Sequence, residues 1–348
     1  MLQIFIFIIV LFLYVHIIAQ YKRSEDLEIY EMDYTNNSQL QEVCNLKQPT
    51  LFEFQSIDPS MMDTINSIFV NTNNDIIIKD TNDYYIEMTN DAPSKSIDSI
   101  LLPYPSAKQL MKTDPTSHFI TENNEDFIEE TGYLSQLQQT INDSLKPSFI
   151  LQTKYDICTG SRGASTPLRY HNHYRHFLIL SSGKIRVKMT PWKSSKYLYP
   201  IKDYENYEFR SPVNVWNTQK KYASDIDKVR FLEFDVMAGY ILYIPSFWWY
   251  SIQYAPNVDT VVCSVTYNSA INLLSNTKDW VLYFIQQQNI YKKIVRIKST
   301  SETQSLLNNE NENQNENENK NAVEIKANDD TTPTPEVNDL LNQLKHEN

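Results

Sequence analysis

Residues 231–254, FLEFDVMAGYILYIPSFWWYSIQY, decide the fold. Short apolar runs, VRFLEFDV, YILYIP and WWYSIQY, are broken by a glycine and a proline, the pattern of brief strands joined by turns. SFILQTKYDIC and HFLILSSGKIRVKMTP lie before this stretch and TVVCSVTY after it, with Gly183 free to take positive φ in a hairpin turn. Many short strands at this spacing predict an antiparallel sandwich or jelly roll rather than a parallel sheet. Trp248 and Trp249 alternate across such a sheet, one packed inward and one outward. The stretch ends by placing the phenol of Tyr250 at a strand start.

The chain outside this region has α+β texture. PSMMDTINSIF (59–69) reads as a helix with Ser60 as its cap. IIIKD and YYIEM read as strands, and NEDFIEETGYLSQLQQTINDSL (124–145) as helical. DWVLYFIQQQNIYKKIVRIK (279–298) reads as a helix with Trp280, Phe284, Tyr291 and Val295 on one face. Residues 299–348 hold no aromatic residue and include NNENENQNENENKN, a disordered Asn/Glu-rich tail by composition.

At the N-terminus, IFIFIIVLFLYV (4–15) is uninterrupted apolar, and with its flanks the run extends over residues 2–19. About twenty helical residues reach ~30 Å, enough to cross a bilayer core. Residues 1–20 are therefore expected to form a transmembrane anchor, the alternative being a signal peptide cleaved at Ala19. Lys22 and Arg23 follow directly, which places the main domain on the cytosolic side, with secreted, lumenal or virion-associated placement as the alternative. Residues 21–45 read as a polar tether, and 46–298 as the folded domain.

A net charge of −12 and a pI near 5.0 argue against nucleic-acid binding through a basic surface. Cys44, Cys158 and Cys263 are far apart in sequence, which excludes both a disulfide framework and a CxxC zinc site.

Three blocks, STPLRYHNHYRHFLILSSGKIRVKMTPW (165–192), SPVNVWN (211–217) and residues 231–254, resemble in order and spacing the cupin-like, JmjC-type branch of the 2-oxoglutarate/Fe(II) oxygenases. The pattern is similar to that of the asparaginyl hydroxylase factor inhibiting HIF. The resemblance implies a mainly β (α+β) double-stranded β-helix, a jelly roll, with flanking helices. It also implies Fe(II) held by two histidines and one carboxylate, with a lysine pairing 2-oxoglutarate. Residue by residue, the pattern falls on Thr166, then on Arg169 and His171 for the first histidine and the acid, and on Tyr250 for the second histidine; counted back from Gly183 the first pair falls instead on Tyr170 and Asn172, a two-residue shift gives His171 and His173, and no register supplies a histidine and a carboxylate together. The lysine position falls on Ile185.

Arginine has no lone pair to offer and repels a dication. The resemblance thus implies a kept fold with lost metal chemistry: a pseudoenzyme without metal or cofactor, serving as a binding module for a protein partner. Family members dimerise through C-terminal helices, so 279–298 is a candidate homodimer surface. Two other readings stay open. One is an active hydroxylase or demethylase with Fe(II) and 2-oxoglutarate on atypical ligands, His171, His173 and Tyr250, with His176 on the other strand face. The other is a structural membrane or virion protein. Arg169, with Lys184 or Arg186, is also a candidate anion-binding group in the emptied cavity.

Overall fold

In a computed structural model, described over residues 2–70, 72–85, 97–289 and 294–296, the apolar N-terminal run is helix α1 (Leu2–Gln20). The chain continues through β1 (Tyr30–Glu31), α2 (Asn37–Cys44), β2 (Thr50–Glu53), α3 (Pro59–Ser67), β3 (Asp75–Asp80), β4 (Ser99–Pro103), α4 (Tyr104–Thr113) and β5 (Phe119–Thr121). Helices α5 (Glu125–Glu130) and α6 (Leu134–Leu145) lead into β6 (Ile150–Gly160), β7 (Arg169–Tyr170), β8 (Arg175–Ser182) and β9 (Lys184–Thr190). Then come β10 (Ile201–Asp203), β11 (Glu208–Arg210), α7 (Ala223–Ile226), β12 (Leu232–Met237), β13 (Tyr240–Tyr243), β14 (Trp249–Tyr254), β15 (Val261–Ser269), α8 (Ala270–Ser275), α9 (Thr277–Asn289) and β16 (Ile294–Arg296).

Two sheets face each other. The larger runs β1-β2-β13-β8-β15-β6-β5-β3-β4-β16 and the smaller β10-β11-β7-β14-β9-β12. From β6 to β9 the chain changes sheet at every strand, and from β12 to β15 it does so again. That winding is the jelly roll expected from the turn spacing. Gly183 takes φ +78, as expected, yet β8 and β9 are not a paired hairpin, because they belong to different sheets. The glycine turns a corner. A Cβ there would meet the Asp259 carbonyl oxygen at 2.7 Å and the Thr260 Cα at 2.8 Å, so no side chain fits.

The continuous apolar run of β8 follows from burial on both faces. Phe177 and Ile179 join a core between the large sheet and helices α2 to α6, while Leu178 and Leu180 point between the sheets. β13 and the residue after it alternate in the same way: Ile241 and Tyr243 lie on the helix side, Leu242 and Ile244 between the sheets. The two tryptophans obey the alternation too. Trp248 lies between the sheets and Trp249 on the opposite face of the small sheet, although that outer residue is also buried, beneath Trp192 and Phe247.

Several local expectations change. α3 is capped by Asp58, whose side chain accepts from Ser60 N, so Ser60 is inside the helix. The helical stretch 124–145 divides at Gly132, which takes φ +78. Tyr84 and Tyr85 lie in a 3-10 turn, Thr81–Tyr85, rather than a strand, and the remainder of YYIEM falls outside the described residues. The C-terminal helix stops at Asn289, Val295 lies in β16 beside β4, and Tyr291 and the Asn/Glu-rich tail fall outside the described residues.

Within 21–45, expected as a tether, β1 pairs with β2, and Leu40 and Cys44 of α2 are fully buried in the core. Gln41 and Asn45 also accept from the buried Arg175 guanidinium, at 2.9 and 2.7 Å. The three cysteines are free and buried. α1 itself has no buried residue and is long and apolar enough to cross a membrane, a property a signal sequence shares.

Candidate functional site: a buried charge chain in the jelly-roll interior

β7 is two residues long and lies between β11 and β14. Its register sets Arg169 opposite Tyr250 on one side and Arg210 on the other. Directly opposed residues share a sheet face. Tyr250, Ile252 and Tyr254 of β14 all join the apolar cluster between the sheets, where they meet Ile185, Val187 and Met189 of β9. The positions singled out in sequence thus converge in part. Arg169 and Tyr250 are in contact, the guanidinium lying 5.8 Å from the ring centroid. Ile185 is on the same inner wall, one strand further over, and is fully buried.

Thr166 performs a structural task. It accepts Ile252 N–H at its Oγ1 (3.0 Å) and Ser251 Oγ–H at its carbonyl (2.6 Å), pinning its segment to β14. Lys184 and Arg186 are not near Arg169 chemically. They pair with Asp235 and Glu233 on the exposed face of β12 and β9, so the expected anion site with Arg169 is not assembled.

Arg169 is instead committed to carboxylates. Its Nη1 donates to Glu122 at 2.9 Å and to Glu208 at 3.3 Å, and Nη2 also donates to Glu122. The pairing continues in both directions. Lys79 of β3 lies 3.6 Å from Glu122, and Arg210 lies 3.7 Å from Glu208 and 3.0 Å from Asp203. The result is an alternating chain, Lys79·Glu122·Arg169·Glu208·Arg210·Asp203. None of the six side chains is more than 16% exposed. The chain crosses from β3 and the end of β5 in the large sheet to β7, β11 and β10 in the small one.

Burial alone would raise the Glu122 carboxyl, but Arg169 and then Lys79 outweigh it and hold the group below its usual range. Arg169 stays firmly charged, because Glu122 outweighs its desolvation. Burial pushes the Tyr250 phenol up, against the pull of Arg169, so the ring is a neutral phenol.

The histidines form a second group beside this chain. Rings of His171 and His173 stack at 5.5 Å, His171 and His176 meet edge-on at 4.7 Å, and His176 is 5.7 Å from Tyr250. His176 was expected on the other strand face. It joins the cluster because residues 171–174 are not a strand, so two-residue alternation does not apply across them. His171 Nε2 lies 3.1 Å from the Ile244 carbonyl, which only accepts, so that nitrogen carries the proton and Nδ1 presents a lone pair. Nδ1 of His171 and of His176 has no hydrogen-bond partner. Burial holds both imidazoles well below their ordinary pKa, and it pushes His173 down to about 4 against a hydrogen bond to Asn268.

A jelly-roll iron centre needs two imidazoles and a carboxylate around open positions. The residues present do not fit that group. A charged, doubly paired arginine and a neutral phenol stand at two of the three positions that the resemblance assigns. Among the described residues no three His, Cys, Asp or Glu side chains are grouped to hold a metal ion. The acidic and basic partners of Arg169 went unread in sequence. Glu208 and Arg210 do alternate on one short strand, EFR, but nothing in the sequence marks that strand as buried.

A family model for the cupin-like domain matches residues 31–273. Curated relatives include HSPB1-associated protein 1 of Rattus norvegicus, 30% identical over 115 residues, which is 33% of this chain and 23% of that protein. The Homo sapiens protein of the same name is 29% identical over the same length. JmjC domain-containing protein D of Dictyostelium discoideum is 25% identical over 158 residues, 39% of this chain and 35% of that protein. The matched stretch thus spans about a third of these relatives or less. With a mainly β jelly roll built as two facing sheets and a match over well more than half its length, the chain belongs to the JmjC-type cupin-like family.

Proposed function

We propose that this protein is a membrane-anchored, non-catalytic member of its family, a binding module whose interior is closed by ion pairs where relatives of the oxygenase branch carry iron. One observation carries the reading: Arg169, at a ligand position, is buried between Glu122 and Glu208. An always-charged guanidinium there repels a dication, and its two carboxylate partners hold it in place. Helix α1 supports the anchor. The name of one group of relatives, HSPB1-associated protein, supports a protein as the bound partner.

The test is ligand-dependent stability. The full chain, purified in mild detergent without chelator, is assayed for bound metal and then titrated with Mn(II) and 2-oxoglutarate while its Tm is followed. A specific ligand raises Tm by mass action. The expected result is substoichiometric metal and no Tm shift. Stoichiometric metal together with a 2-oxoglutarate-dependent shift overturns the proposal. The unpartnered Nδ1 atoms of His171 and His176 beside Tyr250 favour a second reading, an atypical metal centre. It requires the metal binding just described to disappear in His171→Ala.

A further inference from the structure

The end of the domain from which α1 departs carries a set of outward apolar side chains. β15 delivers the chain to this end: Ser269 is paired with Ile150, and α8 begins at the next residue. Beside Ile150 stands Phe149, 93% exposed and held at φ +59. Leu151 is exposed as well. α8 spans six residues, about 9 Å of helix, to Ser275. Leu274 of α8 and Val281 and Phe284 of α9 are exposed, Val281 and Phe284 lying one turn apart on one helix face. Aromatic side chains exposed to this degree carry a large desolvation gain if they find an apolar medium.

The anchor tells which medium is at hand. The Tyr21 hydroxyl donates to the Ser275 carbonyl, so the last turn of α1 adjoins α8. Arg23 is clamped between the Trp192 and Phe247 rings, 4.4 and 4.3 Å from their centroids. Only Tyr21 and Lys22 separate Gln20 from Arg23, which is at most ~10 Å of chain. A domain held that closely to the end of a membrane span cannot stand away from the headgroup layer. Lys22, two residues past α1, Lys146, three residues before Phe149, and Lys278 of α9 are exposed and suit the phosphates of that layer.

We propose that this end of the domain, Phe149, Leu151, Leu274, Val281 and Phe284, is a lipid-docking face that inserts into the bilayer interface beside α1. The inference rests on the membrane-anchored reading above. The face fixes the orientation of the jelly roll on the membrane. β15 runs toward it over nine residues, so the β14–β15 turn with exposed Val258, at the strand's start, sits about 30 Å further out, in water.

Site-directed spin labelling of the full chain in nanodiscs of mixed zwitterionic and anionic phospholipid tests this. The three native thiols are buried, so labels go to introduced cysteines. Phe149→Cys, Phe284→Cys, Val258→Cys and Phe12→Cys are compared by collision with oxygen, which concentrates in lipid, and with a water-soluble nickel chelate. The expected result is oxygen-dominated collision at 12, 149 and 284, with chelate-dominated collision at 258. Chelate-dominated collision at 149 and 284 with position 12 still in lipid refutes the docking face and leaves the anchor standing. Position 12 in water refutes the anchor, and the docking face with it. Spin–spin broadening at 284 that vanishes on dilution with unlabelled protein assigns the face to a second copy of the chain and overturns the lipid proposal.

Discussion

Replacing Arg169 with methionine keeps most of the side chain's length and removes its charge. Glu122 would then retain Lys79 at 3.6 Å, and Glu208 would retain Arg210 at 3.7 Å, each the weaker of its contacts. A unit charge pair at ~3 Å with an effective dielectric of about 20 is worth roughly 5 kcal/mol. The full loss is not felt, because Glu122 can take up a proton instead. Starting from an ordinary carboxyl pKa of about 4.3, protonation at pH 7 costs about 3.7 kcal/mol, which caps the penalty from that group. The expected cost at pH 7 is therefore about 3–4 kcal/mol, within the range for breaking one side of a buried pair. With a urea slope near 3 kcal/mol per M, the midpoint moves down by about 1 M. Because the cap is a protonation energy, the penalty shrinks by about 1.4 kcal/mol for each pH unit below 7, to about 1 kcal/mol at pH 5. Urea unfolding followed by tryptophan fluorescence at pH 7, 6 and 5 measures this. Adding Glu122→Gln to the variant should recover at least half of the loss at pH 7. A cost below 1 kcal/mol at pH 7, or one independent of pH, refutes the reasoning, since it would mean that Glu122 is already solvated.

Two further outcomes follow from the same interior. His171, His173 and His176 have folded pKa values depressed by burial, so the unfolded chain binds protons that the folded one refuses. Stability is then complete above about pH 7 and is lost as pH falls through 6.5 towards 4, by at most about 1.4 kcal/mol per pH unit for each histidine. His173→Gln should reduce that slope by one histidine's share between pH 6 and 4.5, and an unchanged slope counts against it. Gly183→Ala places a Cβ 2.7 Å from the Asp259 carbonyl oxygen at φ +78, so it should destabilise by more than about 1 kcal/mol. A Tm equal to that of the unaltered protein would contradict the corner geometry.

The jelly roll was legible because its signals are local. Glycine and proline punctuation, two-residue alternation and the buried run HFLIL each report on neighbours in sequence, and the sheets obey them. The site was legible only where it lies on those strands. Arg169 and Tyr250 come together as expected because one is opposite the other in the ladder. His176 was misassigned because alternation was extended across 171–174, which is a connection rather than a strand. Glu122, Glu208 and Lys79 could not be read at all. They are 47, 39 and 90 residues from Arg169 in sequence, and pairing over such separations depends on how two sheets stack, which no short-range periodicity encodes.

The charge chain also bears on how an arginine is tolerated in this interior. A lone guanidinium buried between sheets would cost several kcal/mol without partners. Here three cations and three anions alternate, so the group is neutral as a whole and each member has an opposite charge within 4 Å. Side chains from five separate places in the fold, β3, the residue after β5, β7, β10 and β11, must agree for that to hold. An interior built for a dication needs negative charge facing open coordination positions, whereas this one has its negative charge already spent on Lys79, Arg169 and Arg210. Histidine placed at 169 would not by itself return the interior to metal chemistry, because Glu122 and Glu208 would each lose their closest cation while Lys79 and Arg210 remained in place. The ion-pair chain thus joins the two sheets at Arg169 through six side chains whose charges cancel.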